Sequence, residues 1–347
     1  MKCSVLIFAG LIATFLLSAG TASYAAVDQP QDAIFAFTEE NDTFGNPPGP
    51  HQDRHYTQGL EFTYRAGDND FRNATATLSA AIPTFAIDPS AADLGFVFGQ
   101  NMYTPTDLRL KNPDPHDRPY AGWLYGGVFL QRRGVTTGSI PVLENFEANV
   151  GIIGPGSLAG TIQTSFHTSI GATVPQGWGH QLKTEPGLDL KYARLWRLSM
   201  SPESARYCDL IPYVGGSVGN ILIAGNIGTT VRIGWDLPND FGVPLIDSPY
   251  NVNGGLTADA PAFSAYGFGR VEGRAIGHNI FLDGSSFRDG PHVDKEPLVG
   301  DLSLGAAMRL FRHLELSYMH VVRTSEFVHQ ANKDQFGSFT VKALFSF

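Results

Sequence analysis

From Phe339 to the final Phe347 the chain alternates. Phe339, Val341, Ala343, Phe345 and Phe347 fall on one parity; Thr340, Lys342, Leu344 and Ser346 fall on the other, with Leu344 the one poor fit. A period of two builds a strand with one apolar and one mostly polar face. The pattern recurs at Leu302, Leu304, Ala306, Met308 and Leu310, set against Ser303, Gly305, Ala307 and Arg309. It recurs again at Leu188, Leu190, Tyr192 and Trp196 against Asp189, Lys191 and Arg197, with Arg194 breaking the apolar face. Strands are predicted near 32–40, 56–66, 93–101, 121–133, 144–154, 188–199, 207–217, 226–236, 262–275, 299–310, 312–324 and 336–347. An even count returns both termini to one side of a sheet closed on itself.

Water-soluble sheets also alternate. A strand that stays aromatic to its last residue is unusual in water, because termini normally fray and tolerate polarity. Phe347 resembles the aromatic end of the closing strand in bacterial outer-membrane barrels. Mean hydropathy is −0.07, and no stretch beyond the N-terminus approaches the roughly 18 apolar residues of a membrane helix. A barrel reconciles the two, since only alternate residues face lipid. Aromatics at 12% and 39 glycines suit interfacial girdles and tight strand packing. The fold expected is all-β: a closed antiparallel transmembrane barrel of about twelve strands, with a short helix in an outer loop.

At the N-terminus, Lys2 supplies a positive charge, Val5 to Leu17 an apolar core, and Ser23-Tyr24-Ala25 small residues around a cleavage site. Residues 1–25 read as a secretory signal cut after Ala25 or Ala26, and 26–347 as a single barrel domain. Cys3 lies at the start of the signal, so Cys208 is the only cysteine left and an internal disulfide is excluded. A net charge of −9 argues against nucleic-acid binding. It also suits simple adhesion to anionic lipid poorly, so such a substrate needs local cations.

If the N-terminus is periplasmic, the connections 41–55, 102–120, 155–187, 276–298 and 325–335 are outer loops. Residues 67–92 and 237–261 are then long periplasmic connections, against the usual short turns. The first is expected to hold a short helix near Ala74–Ala81; the second has no account from sequence.

Most of the candidate chemistry lies in the outer loops. Glu40-Asn41-Asp42 ends the first strand and Asp53-Arg54-His55-Tyr56-Thr57 opens the second. Their carboxylate, amide and hydroxyl oxygens at one rim suit a hard cation such as calcium; ordinary turn residues explain them as well. Arg118, in Asp117-Arg118-Pro119-Tyr120-Ala121-Gly122-Trp123, offers a planar fork for phosphate or carboxylate, or is a surface arginine beside a proline turn. Gly154-Pro155-Gly156-Ser157 suits a helix entry with Ser157 as cap. On that helix Gln163 and His167 share a face, and His167 is a candidate general base. His278, Asn279 and Asp283 either join a site or make a hydrogen-bonded turn. Gly215-Gly216-Ser217-Val218-Gly219 fits the nucleophile-elbow pattern, but in an all-β chain with no following helix it reads as small residues at a barrel wall.

Taken in order, Glu40-Asn41-Asp42, Tyr56-Thr57 with Gly59, Asp117 to Trp123, Gln163-x-x-x-His167, Gly177-Trp178 with Gln181 and Glu185, and Asn279 to Gly284 resemble the outer-membrane lipid A 3′-O-deacylases. The resemblance spans nearly the whole mature chain. It implies a barrel that uses Ca2+ to hydrolyse the ester carrying the 3′-linked acyloxyacyl chain of lipid A. His167 would be the base that activates water. Asn41, Asp42 and Thr57 would line the site and help hold the metal, with Asp42 and Glu185 as the expected metal ligands. Gln163 would support the histidine's helix, and Arg118 would contact a sugar phosphate or core carboxylate. The resemblance further implies a monomer in the outer membrane of a Gram-negative bacterium, its site facing the outer leaflet and lipopolysaccharide as its partner. The sequence departs from the pattern at Thr173, where an acid can follow the histidine, and at Asp117, where a basic residue often precedes the arginine. Two rivals are an outer-membrane phospholipase with Ser165 or Ser169 as nucleophile, and a non-enzymatic porin or adhesin.

Overall fold

The protein is described by a computed structural model covering residues 33–45, 53–67, 71–83, 87–246, 248 and 261–345. The expected signal segment and the terminal Phe347 lie outside the described residues. Twelve strands run β1 (Ala33–Asn41), β2 (His55–Arg65), β3 (Asp88–Thr104), β4 (Ala121–Val135), β5 (Pro141–Ile153) and β6 (Glu185–Trp196), then β7 (Cys208–Gly219), β8 (Leu222–Trp235), β9 (Phe263–Asn279), β10 (Leu298–Leu310), β11 (Leu314–Arg323) and β12 (Asp334–Phe345). Each pairs antiparallel with its sequence neighbours, and β1 closes on β12 through Ala33↔Phe345 to Asn41↔Gly337. All twelve predicted strands are present. The fold is the expected closed antiparallel barrel.

The wall is inverted relative to a soluble protein. Leu302 and Leu304 are 49% and 62% exposed, while Ser303 and Arg309 between and beyond them are fully buried. Phe35, Phe62, Phe98, Val150, Ile227 and Ile233 also point outward. Alternation with apolar side chains outside is what a lipid-facing barrel requires. Leu344, the poor fit in β12, turns inward and packs on Ile34. No helix among the described residues is long and apolar enough to cross a membrane.

The lumen is filled. After β8 the chain turns inward, and Leu237, Phe241, Val243, Leu245 and Ile246 are buried there. The Ile246 backbone N–H donates to Glu40 at 2.8 Å, Arg270 donates to the Val243 carbonyl at 2.9 Å, and Asp240 pairs with Arg232 and Arg309. The first part of the long connection without a sequence account is thus an internal strap. Most of its remainder lies outside the described residues.

The expected helix near Ala74–Ala81 is α1 (Arg72–Ala81). It rests on the outside of the wall, where Arg132 of β4 donates to the carbonyls of Ser79, Ile82 and Pro83. β3 is longer than the pattern suggested. Its outward Gln100 and Met102 are covered by the β5–β6 connection, so this end of the outer row does not face lipid and Gln100 is tolerated there.

Candidate active site

The site is built on the outer wall at the end of the barrel opposite α1. Between β5 and β6 a 3-10 turn, Gly154–Ser157, leads into α2 (Ala159–Ile170). Ser157 was expected to cap the helix; the cap residue is instead Leu158, left-handed at φ 63° and without a side-chain cap bond. Ser157 serves the wall: its carbonyl accepts from Gln100 Nε2 at 2.6 Å, and its hydroxyl donates to the Gly154 carbonyl at 2.6 Å. The helix can approach because β4 has Gly122 beneath it; a Cβ there would lie 2.3 Å from Ala159 Cβ. Gly171 ends the helix at φ 70°, a conformation glycine adopts freely.

The two faces of α2 differ. Ala159, Gln163 and His167 are buried against the wall. Leu158, Ile162, Phe166 and Ile170, spaced by four, form an exposed apolar stripe, with Phe166 58% and Ile170 60% exposed. Gln163 Oε1 accepts from Trp178 Nε1 at 2.8 Å, and Trp178 packs on Tyr120 with ring centroids 4.8 Å apart. Gln163 therefore ties the helix to the returning loop.

His167 is held at both ring nitrogens. Nδ1 lies 2.6 Å from the Thr173 carbonyl and Nε2 lies 3.0 Å from Asp53 Oδ2. A carbonyl can only accept, so Nδ1 carries the proton. Asp53 pushes the His167 pKa above its ordinary value, against the opposing effect of burial. Asp42 adds to the same field.

Asp42 lies in a 3-10 turn, Asp42–Phe44, whose N-cap is Asn41: its Oδ1 accepts from the Thr43 N–H at 2.8 Å. Asp42 is 2% exposed, and its Oδ2 accepts from the Arg54 N–H at 2.6 Å. Burial first, and repulsion from Asp53 second, push its carboxyl up to about 8. The register shifts between Tyr56 and Gln58, a bulge that changes which side chains face inward. Tyr56 reaches Glu40 in the lumen at 2.8 Å, while the Thr57 hydroxyl meets Thr104 at 2.7 Å. Thr104 in turn donates to the Asp53 carbonyl at 3.2 Å.

Asp42, Thr57 and His167 are thus linked through Asp53, while Asn41 caps the turn that carries Asp42 and Gln163 seats the helix that carries His167. Two expected participants do not join this patch. Glu185 stays on the β5–β6 pair, five strands round the wall from β1, and accepts from the Ser286 N–H at 2.9 Å, so it does not stand beside Asp42 as a joint metal ligand. Arg118 is 1% exposed; its guanidinium is 2.6 Å from Glu326 and lies over the Tyr103 ring, so it is spent inside the protein and not presented as an anion clamp. His278 and Asn279 form a local turn: Asn279 caps the helical turn Ile280–Asp283, and His278 Nδ1 lies 3.2 Å from Asp283. Asp53 and Thr104 were not singled out from sequence. Asp53 stood inside a quoted motif, but its pairing with a histidine 114 positions later leaves no local signal.

A cation site can be tested on these groups. Asp42 and Asp53 are like charges held close in a buried place, which a bound cation relieves. Carboxylate, hydroxyl and amide oxygens are the donors calcium prefers. Among the described residues no cluster of three or more His, Cys, Asp or Glu forms a ready cage. The residues fit calcium, with hydroxyl and amide oxygens supplementing two carboxylates.

Among curated proteins none matches the sequence. LpxR from Salmonella typhimurium is similar in structure at 20% identity and TM-score 0.70, covering 90% of this chain and all of that one. The beta domain of the Bordetella autotransporter BrkA aligns at 9% identity, TM-score 0.40, over 92% of this chain and all of that one; it is too distant to carry an argument. The family described as outer membrane protein LpxR matches residues 8–345, nearly the whole chain: this protein belongs to that outer-membrane family, the lipid A deacylases its sequence resembles.

Proposed function

We propose that the protein hydrolyses the ester carrying the 3′-O-linked acyloxyacyl chain of lipid A, using water activated by His167 and assisted by calcium. One observation carries this reading. His167 lies on the buried face of a helix whose exposed stripe is apolar and meets Asp53 there, on the lipid-facing side of the wall and not in the lumen. An ester at the boundary between sugar headgroup and acyl chains in the outer leaflet is the substrate such a placement suits.

The histidine's own geometry sets the proton path. Nδ1–H is committed to the Thr173 carbonyl, so Nε2 is the nitrogen that exchanges protons. In its resting contact Nε2 faces Asp53. When Nε2 is free of its proton and a water replaces that contact, the imidazole takes a proton from the water as oxygen attacks the ester carbonyl. The tetrahedral oxyanion then collapses. The carbon–oxygen bond to the sugar breaks, and the proton on Nε2 passes to the departing 3′-oxygen. Asp42, with Asn41 and Thr57, would hold calcium, which when bound polarises the carbonyl and stabilises the oxyanion. Gln163 keeps the helix seated.

The rivals are less well supported. Ser165 lies two residues from His167 on one helix, a spacing that does not share a face, and the Ser169 hydroxyl donates to the Phe166 carbonyl. A general pore would need an open lumen, whereas the strap fills this one.

The test is mass spectrometry of lipid A incubated with the purified protein, with calcium or with a chelator. Loss of one acyloxyacyl mass, abolished by chelation and restored by calcium, is expected. Full hydrolysis by His167→Ala in chelator would overturn the metal–histidine reading. Release of fatty acid from glycerophospholipids with lipid A untouched would favour the phospholipase.

A further inference from the structure

We propose that His55 is a positioning residue for this site: it staples the Asp53–Arg54 turn to two neighbouring loops and so holds Asp53 against His167. The proposal rests on the reading of His167 as base. Asp53 and His55 both have positive φ, 67° and 60°, on either side of Arg54. Residues with side chains rarely adopt this conformation, and it persists where surrounding contacts impose it. The same turn supplies both halves of the patch. The Arg54 N–H binds Asp42, and the Asp53 carboxylate meets His167.

The contacts that impose the turn converge on the His55 ring. Nδ1 is 2.6 Å from Asp334 Oδ1, at the start of β12. Nε2 is 3.2 Å from Asp117 Oδ1 and 3.2 Å from the Thr106 hydroxyl, both in the β3–β4 connection. Phe327, from the β11–β12 connection, packs edge-on with ring centroids 5.1 Å apart. Asp117 is itself fixed by the N–H groups of Arg118 and Thr106, each at 2.7 Å. Arg54 adds a weaker tie, donating to the Lys333 carbonyl at 3.3 Å and lying 4.0 Å from Asp334. Three connections at this end of the barrel therefore meet at one buried imidazole. It touches neither His167 nor Asp42 in these contacts, and acts on them through its two preceding residues. Asp117, the departure from the family pattern, is one arm of this staple.

Asparagine tolerates the left-handed conformation, so His55→Asn keeps the backbone and removes the double anchorage. It also leaves Asp117 and Asp334 without the imidazole, which can destabilise the barrel. The triple variant with Asp117→Asn and Asp334→Asn removes that charge. Three readouts are taken on the full-length protein in micelles: lipid A hydrolysis, thermal unfolding, and carbethoxylation of His167 by diethyl pyrocarbonate, followed by peptide mass spectrometry. In both variants kcat should fall by about 10- to 100-fold, as for a misplaced catalytic group, with KM changed less than about twofold. Labelling of His167 should rise several-fold. The triple variant should regain thermal stability but not kcat. Return of kcat together with stability would overturn the proposal, as would unchanged protection of His167 in both variants. Should the wild-type protein leave lipid A intact, the functional reading fails, and the labelling result still decides whether His55 positions Asp53 against His167.

Discussion

Two groups of buried charges in this protein are organised on opposite principles. Around the strap in the lumen, opposite charges alternate. Arg232 donates to both oxygens of Asp209, at 2.9 and 2.6 Å, and pairs with Asp240; Arg309 reaches Asp240 and Glu315; Lys342 reaches Glu315 at 3.1 Å. Every one of these charges has opposite-charge neighbours, mostly on other strands or the strap. At the wall patch like charges are set together: burial first, and the neighbouring Asp53 second, push the Asp42 carboxyl up to about 8. The lumen network lowers the cost of burying ions in a filled interior. The wall patch keeps that cost high beside a histidine, which is the arrangement of a site that binds something or moves a proton.

Breaking the lumen should show the largest effect on stability. Arg232→Ala leaves Asp209 and Asp240 short of their main partner and should cost about 3–5 kcal/mol in urea unfolding, the range for one half of a buried pair. Activity per folded molecule should change little. An unaltered unfolding curve would mean that the lumen charges are not a stabilising network. At the wall, the converse holds. His167→Ala should lose at least about 100-fold in deacylation rate, while the protein still inserts and unfolds as the wild type does. Equal loss of stability in that variant would erase the contrast.

The pH profile sharpens the comparison. The base must be neutral to accept a proton, and Asp53 favours the charged imidazole. Activity should therefore rise with pH through a midpoint above the ordinary histidine value of 6.5. Asp53→Asn removes that stabilisation of the cation and should move the midpoint down. A midpoint that does not respond to Asp53→Asn would show that some other group limits the rate. The smallest effect is expected at Ser217, buried on the inner side of β7. Ser217→Ala should keep full activity and cost less than about 1 kcal/mol, the size of one hydrogen bond. A dead Ser217→Ala enzyme would revive the serine mechanism.

The barrel was legible because alternation is a local property. Leu302 to Leu310 and Phe339 to Phe345 declare their two faces residue by residue, and a lipid exterior enforces that pattern. Where another element covers the wall, the signal failed: β3 was read as ending at 101 but runs on to Thr104, with outward-facing Met102 lying under the α2 region. The helix face shared by Gln163 and His167 was likewise legible from a spacing of four. Glu185 was misplaced for the opposite reason. It follows the active loop closely in sequence, but β-pairing carries it round the wall to Ser286. Arg118 looked like a free anion clamp because nothing local announces Glu326, 208 residues away.

By itself the sequence determined the strand count, the parity that gathers the polar loops at one end, and the candidates within them, since all follow from short-range periodicity and residue chemistry. Only the tertiary structure decided which acid meets His167, that the connection after β8 fills the lumen, and that His55 lies between Asp117 and Asp334. Those contacts join residues far apart in the chain. They are set by barrel closure and loop packing, which place atoms in space without leaving a pattern in the local order of residues.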